Sequence, residues 1–165
     1  MKASNPWRKI AAAQKGKSLS PFAVIILAGT ICGVLDLISA TALFLSRGGT
    51  LERLLQFIAS GALGESSFRG GKKTAALGFL FHFVIALTAS AIYYTASRSL
   101  PLLTAQPILC GILYGALIHL FMTFITIPLS RAPKRKFSTS FFLSQLAVHM
   151  FIVGLSISIT ISRLS

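Results

Sequence analysis

Residues 21–45, PFAVIILAGTICGVLDLISATALFL, form a long apolar run in which Asp36 is the one charged residue. With a rise of 1.5 Å per residue, a helix of this length spans about 37 Å, more than the roughly 30 Å hydrocarbon layer of a membrane. Three further runs of similar character cover residues 74–96, 108–129 and 141–161. The four runs predict four membrane-crossing helices, and these decide the fold.

The composition of the whole chain excludes a water-soluble globule. Of the 165 residues, 54% are hydrophobic and only 12% are charged, and the mean hydropathy is +0.78. A soluble domain carries roughly 25% charged residues. The length leaves room for at most about five crossings and for no second soluble domain. We therefore predict an all-α integral membrane protein, a four-helix up-down bundle that forms one transmembrane domain over residues 21–165.

One short amphipathic helix is predicted over residues 50–63, between the first two crossings. Thr50 has the character of an N-cap, and Glu52 lies in the first turn, where the helix dipole favours an acid. Apolar residues follow at helical spacing, and we expect Gln56 and Ser60 on the opposite, polar face. Because the stretch is too short and too polar to cross, it is expected in the membrane interface or against the bundle.

The basic residues flank the apolar runs. The formal net charge is +13, with Lys and Arg in a polar tail over residues 1–20 and in the first and third connections. Without stacking aromatics among them, these residues indicate contact with the bilayer and its anionic lipid headgroups rather than with nucleic acid. The numbers of basic residues on the two sides of the membrane are too similar to decide the orientation of the chain. Four basic residues before the first helix, against Arg47 directly after it, favour cytoplasmic termini.

Small residues recur within the predicted crossings. They are Gly29 and Gly33 in the first, Gly78 in the second, and Gly111 and Gly115 in the third. In lipid, such positions allow two helix backbones to approach closely and gain packing. The glycines predict helix packing. One functional alternative is therefore a structural or assembly protein that uses these faces to bind further copies of itself or other membrane proteins.

Each predicted crossing contains one ionisable residue within its apolar run. The four are Asp36, His82, His119 and His149. Counted from the helix ends beside the first and third connections, all lie roughly 12 to 15 Å deep, so they can occupy one layer. An unpaired charge at that depth is costly, so these groups should face the interior. In the fourth crossing, a polar stripe of Gln145, His149, Ser156 and Thr160 agrees with an inward face.

Three interpretations of this layer stay open. Imidazole can accept and release a proton near neutral pH, so the layer can serve a proton- or ion-linked protein in which Asp36 is the charge partner. Alternatively, the three histidines and Asp36 can complete the ligand sphere of zinc, iron or copper, or bind a haem. In the third interpretation, hydrogen bonds among these groups and nearby hydroxyls only fix the helix register.

The sequence offers little for catalysis. It contains no glycine-rich nucleotide loop and no Gly-x-Ser-x-Gly motif. Cys32 and Cys110 stand alone within helices, so we expect them to pack rather than to form a redox pair. The remaining carboxylates, Glu52 and Glu65, fall in the first connection. We therefore predict no catalytic residue; the absence of a cofactor is favoured but stays open, as does the question of enzyme activity.

Several short motifs carry a resemblance to a known family. They are Leu77-Gly78-x-x-x-His82, Tyr93-Tyr94, Leu100-Pro101, Gly111-x-x-x-Gly115, Pro128-Leu129 and the helix with His149; the segment 54–61 also looks like part of a bacterial protein group. In these the chain resembles small bacterial inner-membrane proteins and is distantly similar to the YagU-like family.

The resemblance implies a multi-pass bacterial membrane protein with His82 and His149 at family positions. His119 departs from the family pattern, which has its imidazole one turn later, where this chain has Thr123. Because of that departure, the resemblance does not imply that the histidines bind a metal with the same geometry as in the family. It still implies a layer of histidines in both. The resemblance supplies no activity.

Overall fold

A computed structural model describes residues 19–134 and 138–165, and within these ranges the chain is helical with no strand. The helices are α1 (Pro21–Leu45), α2 (Leu51–Leu63), α3 (Gly71–Ser99), α4 (Leu102–Ala105), α5 (Pro107–Leu129) and α6 (Thr139–Leu164). A 3₁₀ segment, Gly64–Arg69, joins α2 to α3. The predicted all-α bundle is confirmed. Most of the predicted basic tail, together with Arg135 and Lys136 of the third connection, lies outside the described residues.

Helices α1, α3, α5 and α6 are each long and apolar enough to cross a membrane, which is consistent with a multi-pass transmembrane protein. Their ends follow from local chemistry. The Ser20 hydroxyl accepts a hydrogen bond from the Ala23 N–H at 3.2 Å, and Pro21 takes the first helical position, where its missing N–H costs nothing. Thr50 caps α2 in the same way, as predicted.

The bundle places α1 between α3 and α6, and α6 in turn packs on α5. Glycines make both outer contacts close. A Cβ at Gly29 of α1 would lie 2.7 Å from the Leu87 side chain of α3, and a Cβ at Gly115 of α5 would overlap the His149 carbonyl oxygen of α6. The Tyr114 hydroxyl of α5 donates to the Ala89 carbonyl oxygen of α3 at 2.7 Å, which ties the two outer helices together.

Helix α2 packs against the first turns of α3, and its polar face differs from the predicted one. Gln56 is 2% exposed and Ser60 is fully buried, so the expectation that both face away from the apolar stripe is wrong. The Gln56 amide donates to Glu52 Oε1 at 3.1 Å and to the Gly71 carbonyl oxygen at 3.2 Å. Because these bonds satisfy the amide, Gln56 can be buried and can fix α2 to the start of α3.

Two of the long helices contain a π-helical segment. In α5 it covers Met122–Thr126, just before Pro128, whose ring nitrogen cannot donate to the preceding turn. In α6 it covers His149–Gly154. A π turn inserts a residue and rotates the helix face that follows it. Beyond this segment, the predicted stripe residues Ser156 and Thr160 are accordingly half-buried, while Ile157, Ser158 and Ile161 are fully buried.

Candidate functional site

Two of the four predicted layer residues lie in direct contact. The ring centroids of His119 on α5 and His149 on α6 are 4.9 Å apart, with the ring planes inclined at 51°. The Phe142 ring of α6 packs against the His119 imidazole, and the centroids of these two rings are also 4.9 Å apart. His119 is 6% exposed and His149 is half-buried. An aromatic wall and a second imidazole thus enclose the His119 ring.

Glycines explain why these two histidines meet. Gly115 lies one turn before His119 on α5, and its missing side chain lets the α6 backbone at His149 touch α5. Gly154, at the other end of the π segment, would clash with Gly111 if it carried a Cβ. The π segment therefore spans the place where the two backbones approach most closely, and π segments of this kind often occur at functional sites.

The hydrogen bonds of the pair leave polar atoms without a partner. His149 Nδ1 donates to the Gln145 carbonyl oxygen at 2.8 Å, so that in the neutral imidazole Nε2 is the acceptor. His119 Nε2 and Gln145 Oε1 are buried and have no hydrogen-bond partner within the described part of the chain. Since most buried polar atoms are paired, two unpaired ones beside the same imidazole pair mark this place as unusual.

His82 has a different environment from the other two histidines. Its Nε2 donates to the Gly33 carbonyl oxygen of α1 at 2.8 Å, and its ring packs edge-on against Phe83. The imidazole is buried. A buried hydrogen bond of this kind holds α3 against α1, so the structure gives His82 a helix-positioning contact.

The four residues of the predicted layer do not form one cluster. Asp36 is half-buried on α1, and its electrostatic neighbour is the Cys32 thiol one turn earlier. Within residues 19–134 and 138–165, no three His, Cys, Asp or Glu side chains are grouped so that they could hold a metal ion. The structure therefore brings together His119 and His149, joins His82 to Gly33, and leaves Asp36 apart from a metal-binding arrangement.

At the other end of the bundle, sequence reasoning missed a contact between Tyr93, which is buried, and Tyr114, which is half-buried. Tyr93 on α3 is 1% exposed. Its hydroxyl donates to the Leu103 carbonyl oxygen at 2.9 Å, and its ring lies 4.9 Å from that of Tyr114. The signal was present, because Tyr93 follows the small residues Ala86 and Ser90 on one helix face.

Comparisons with models of protein families, with curated proteins and with solved structures find no match to this chain. The resemblance to the YagU-like family accordingly remains a prediction from the motifs. Functional interpretation rests on the geometry of the bundle, above all on the contact between His119 and His149.

Proposed function

We propose that this chain is a multi-pass protein of the bacterial inner membrane that takes up and releases a proton at the His119 and His149 pair. The observation that carries the proposal is the buried, unpartnered Nε2 of His119 beside the His149 imidazole. Ionisable groups inside a membrane are costly and generally mark proton or ion paths. We further propose that both termini are cytoplasmic, because basic residues precede α1.

The hydrogen bonds limit where the proton binds. His149 Nδ1 is committed to the Gln145 carbonyl oxygen, so His149 takes up a proton at Nε2. His119 offers its own free Nε2. Two imidazoles in contact repel each other when both are charged, so the proposed pair holds one added proton at a time. Neutral and singly protonated forms are then the two working states.

The contacts favour this function over the alternative of an assembly partner. That alternative requires glycine faces that are free to bind another protein. Each of the glycines concerned already packs against a helix of the same chain: Gly29 and Gly33 against α3, Gly78 against α2, and Gly111 and Gly115 against α6. A second protein would find no glycine face among these positions, whereas helix packing does not account for the unpartnered Nε2 of His119.

Proton uptake by the pair can be tested with histidine-labelled protein in nanodiscs, followed by NMR during a pH titration. We expect His119 and His149 to take up a single proton between them, and the His149→Ala substitution to change the titration of His119. The matched control is His82→Gln, which keeps an N–H donor for Gly33 and should leave the His119 titration unchanged. Independent titration of His119 and His149, one proton each, would contradict the proposal.

A transport assay then asks whether the proton crosses the membrane. Proteoliposomes containing a pH-sensitive dye are given a potassium diffusion potential, and internal acidification is recorded. The wild-type chain should acidify the lumen faster than protein-free vesicles, and His149→Ala should reduce the rate to theirs. If His149→Ala and the wild type conduct equally, the pair is not on the path.

A further inference from the structure

A surface cavity of about 410 Å³ lies between the 3₁₀ segment and the chain just after α5. Its lining consists of Glu65, Phe68, Arg69 and Pro133. Both walls are fixed to the bundle. The Arg131 N–H donates to the Gly61 carbonyl oxygen at 2.9 Å, and the Thr74 hydroxyl donates to the Ser67 carbonyl oxygen at 2.6 Å. The cavity is open to its surroundings, so it can receive part of a ligand rather than enclose a whole molecule.

The cavity lies at the level of lipid headgroups if α3 crosses the membrane. Lys72 and Lys73 stand at the start of α3, directly before its apolar run, as is typical of a membrane boundary. Leu51 and Leu63, at the two ends of α2, are exposed. Charged groups at the start of α3 and exposed apolar groups at the ends of α2 are the combination found at the surface of a bilayer.

The two charged groups of the cavity, Glu65 and Arg69, have opposite signs. Glu65 and Arg69 are separated by four residues, a spacing that makes them neighbours on an α-helix. On a 3₁₀ helix, with three residues per turn and a rise of 2.0 Å, the same spacing places their backbones about 8 Å apart along the axis. Both side chains are exposed. The lining of the cavity thus includes one exposed carboxylate and one exposed guanidinium.

We propose that this cavity binds the headgroup of phosphatidylethanolamine, with the phosphate on Arg69 and the primary ammonium on Glu65. Guanidinium matches phosphate oxygens in a bidentate geometry, and an ammonium group donates up to three hydrogen bonds to a carboxylate. Choline cannot donate to Glu65, because its nitrogen carries no hydrogen. The neighbouring Lys72 and Lys73 strengthen the attraction for phosphate but do not distinguish ethanolamine from choline.

The proposal rests on the membrane setting of the proposed function but not on its histidines. Native mass spectrometry of the full chain, released from detergent micelles containing equal amounts of phosphatidylethanolamine, phosphatidylcholine and phosphatidylglycerol, measures it directly. We expect one phosphatidylethanolamine molecule to be retained about threefold to fivefold over phosphatidylcholine, as one exposed charge-assisted contact allows. The His149→Ala variant should retain it equally, which separates this site from the proton proposal.

Substitutions assign the two contacts. Glu65→Gln should remove the preference for phosphatidylethanolamine over phosphatidylcholine, and Arg69→Gln should reduce retention of both. The control is Arg98→Gln, at the opposite end of α3, where the guanidinium lies 5.8 Å from the Tyr94 ring centroid; it should change nothing. Equal retention of the two lipids by the wild type would overturn the proposal. A preference for phosphatidylglycerol that survives Glu65→Gln would also overturn it and would indicate general attraction to anionic lipid.

Discussion

Replacing Gly115 by alanine tests the closest helix contact in the bundle. An added Cβ would overlap the His149 carbonyl oxygen and lie 2.8 Å from Met150 Cα. That separation is at least about 0.7 Å short of the optimum for two carbon atoms. Because the atoms that must move belong to the α6 backbone, rotation of a side chain cannot relieve the overlap. Helix α6 has to move away from α5.

The expected loss of stability follows from two opposing effects. Overpacking of a well-packed site costs about 1–3 kcal/mol, and alanine in place of glycine within a helix returns up to about 1 kcal/mol. We expect Gly115→Ala to lower the free energy of unfolding by about 1–2 kcal/mol. For a chain of this size that corresponds to a melting temperature lower by about 2–8 °C.

The matched control is Gly61→Ala on α2. A Cβ at Gly61 would meet only the Ser130 side chain at 3.9 Å, which is an ordinary contact. This variant should therefore be as stable as the wild type or more stable by up to about 1 kcal/mol. Thermal unfolding followed by circular dichroism, and titration with SDS in mixed micelles, compare the three proteins. A Gly115→Ala protein that is as stable as the Gly61→Ala protein would refute the close approach of α5 and α6.

Two further predictions concern the charge partner and the orientation. Asp36→Asn removes a negative charge from the membrane interior, and we expect it to alter the pH dependence of proton uptake in proteoliposomes while membrane insertion stays normal; an unaltered pH profile would count against Asp36 as the charge partner. A reporter that is active only in the cytoplasm, fused after Ser165, should be active if both termini are cytoplasmic, and activity of a periplasmic reporter at the same position would reverse that assignment.

The ends of α1 could be predicted because local chemistry sets them, whereas α3 runs three residues further at each end than the predicted 74–96. The hydroxyl of Ser20 and the ring of Pro21 start α1, and Arg47-Gly48-Gly49 follows its end. Gly48 has a φ of +77°, a left-handed conformation that glycine adopts without strain. Such signals lie within a few residues of the boundary that they specify. The number and approximate positions of the crossings follow from the hydrophobic runs, since a crossing needs only length and apolar content.

The π segment of α6 could not be predicted, because its cause lies in another helix. In α6, the segment His149–Gly154 forms where Gly154 packs on Gly111. Helical periodicity assumes 3.6 residues per turn throughout, so it carries the polar stripe from His149 on to Ser156. The inserted residue rotates that face, and Ser158 is buried in its place. Gln56 of α2 was misassigned for a related reason, since its burial depends on the Gly71 carbonyl oxygen of another helix.

Equal depth is the reason why four residues were expected in one layer. The order of the helices is the reason why their contacts differ. Depth fixes a position along the helix axis, whereas contact depends on the order of the helices around the bundle. With α1 between α3 and α6, His82 on α3 meets the α1 backbone, and His119 on α5 meets α6. One histidine thus ties helices together while two share a site. A variant lacking all three would therefore combine a loosened bundle with a lost proton site, so single substitutions are required to tell these effects apart.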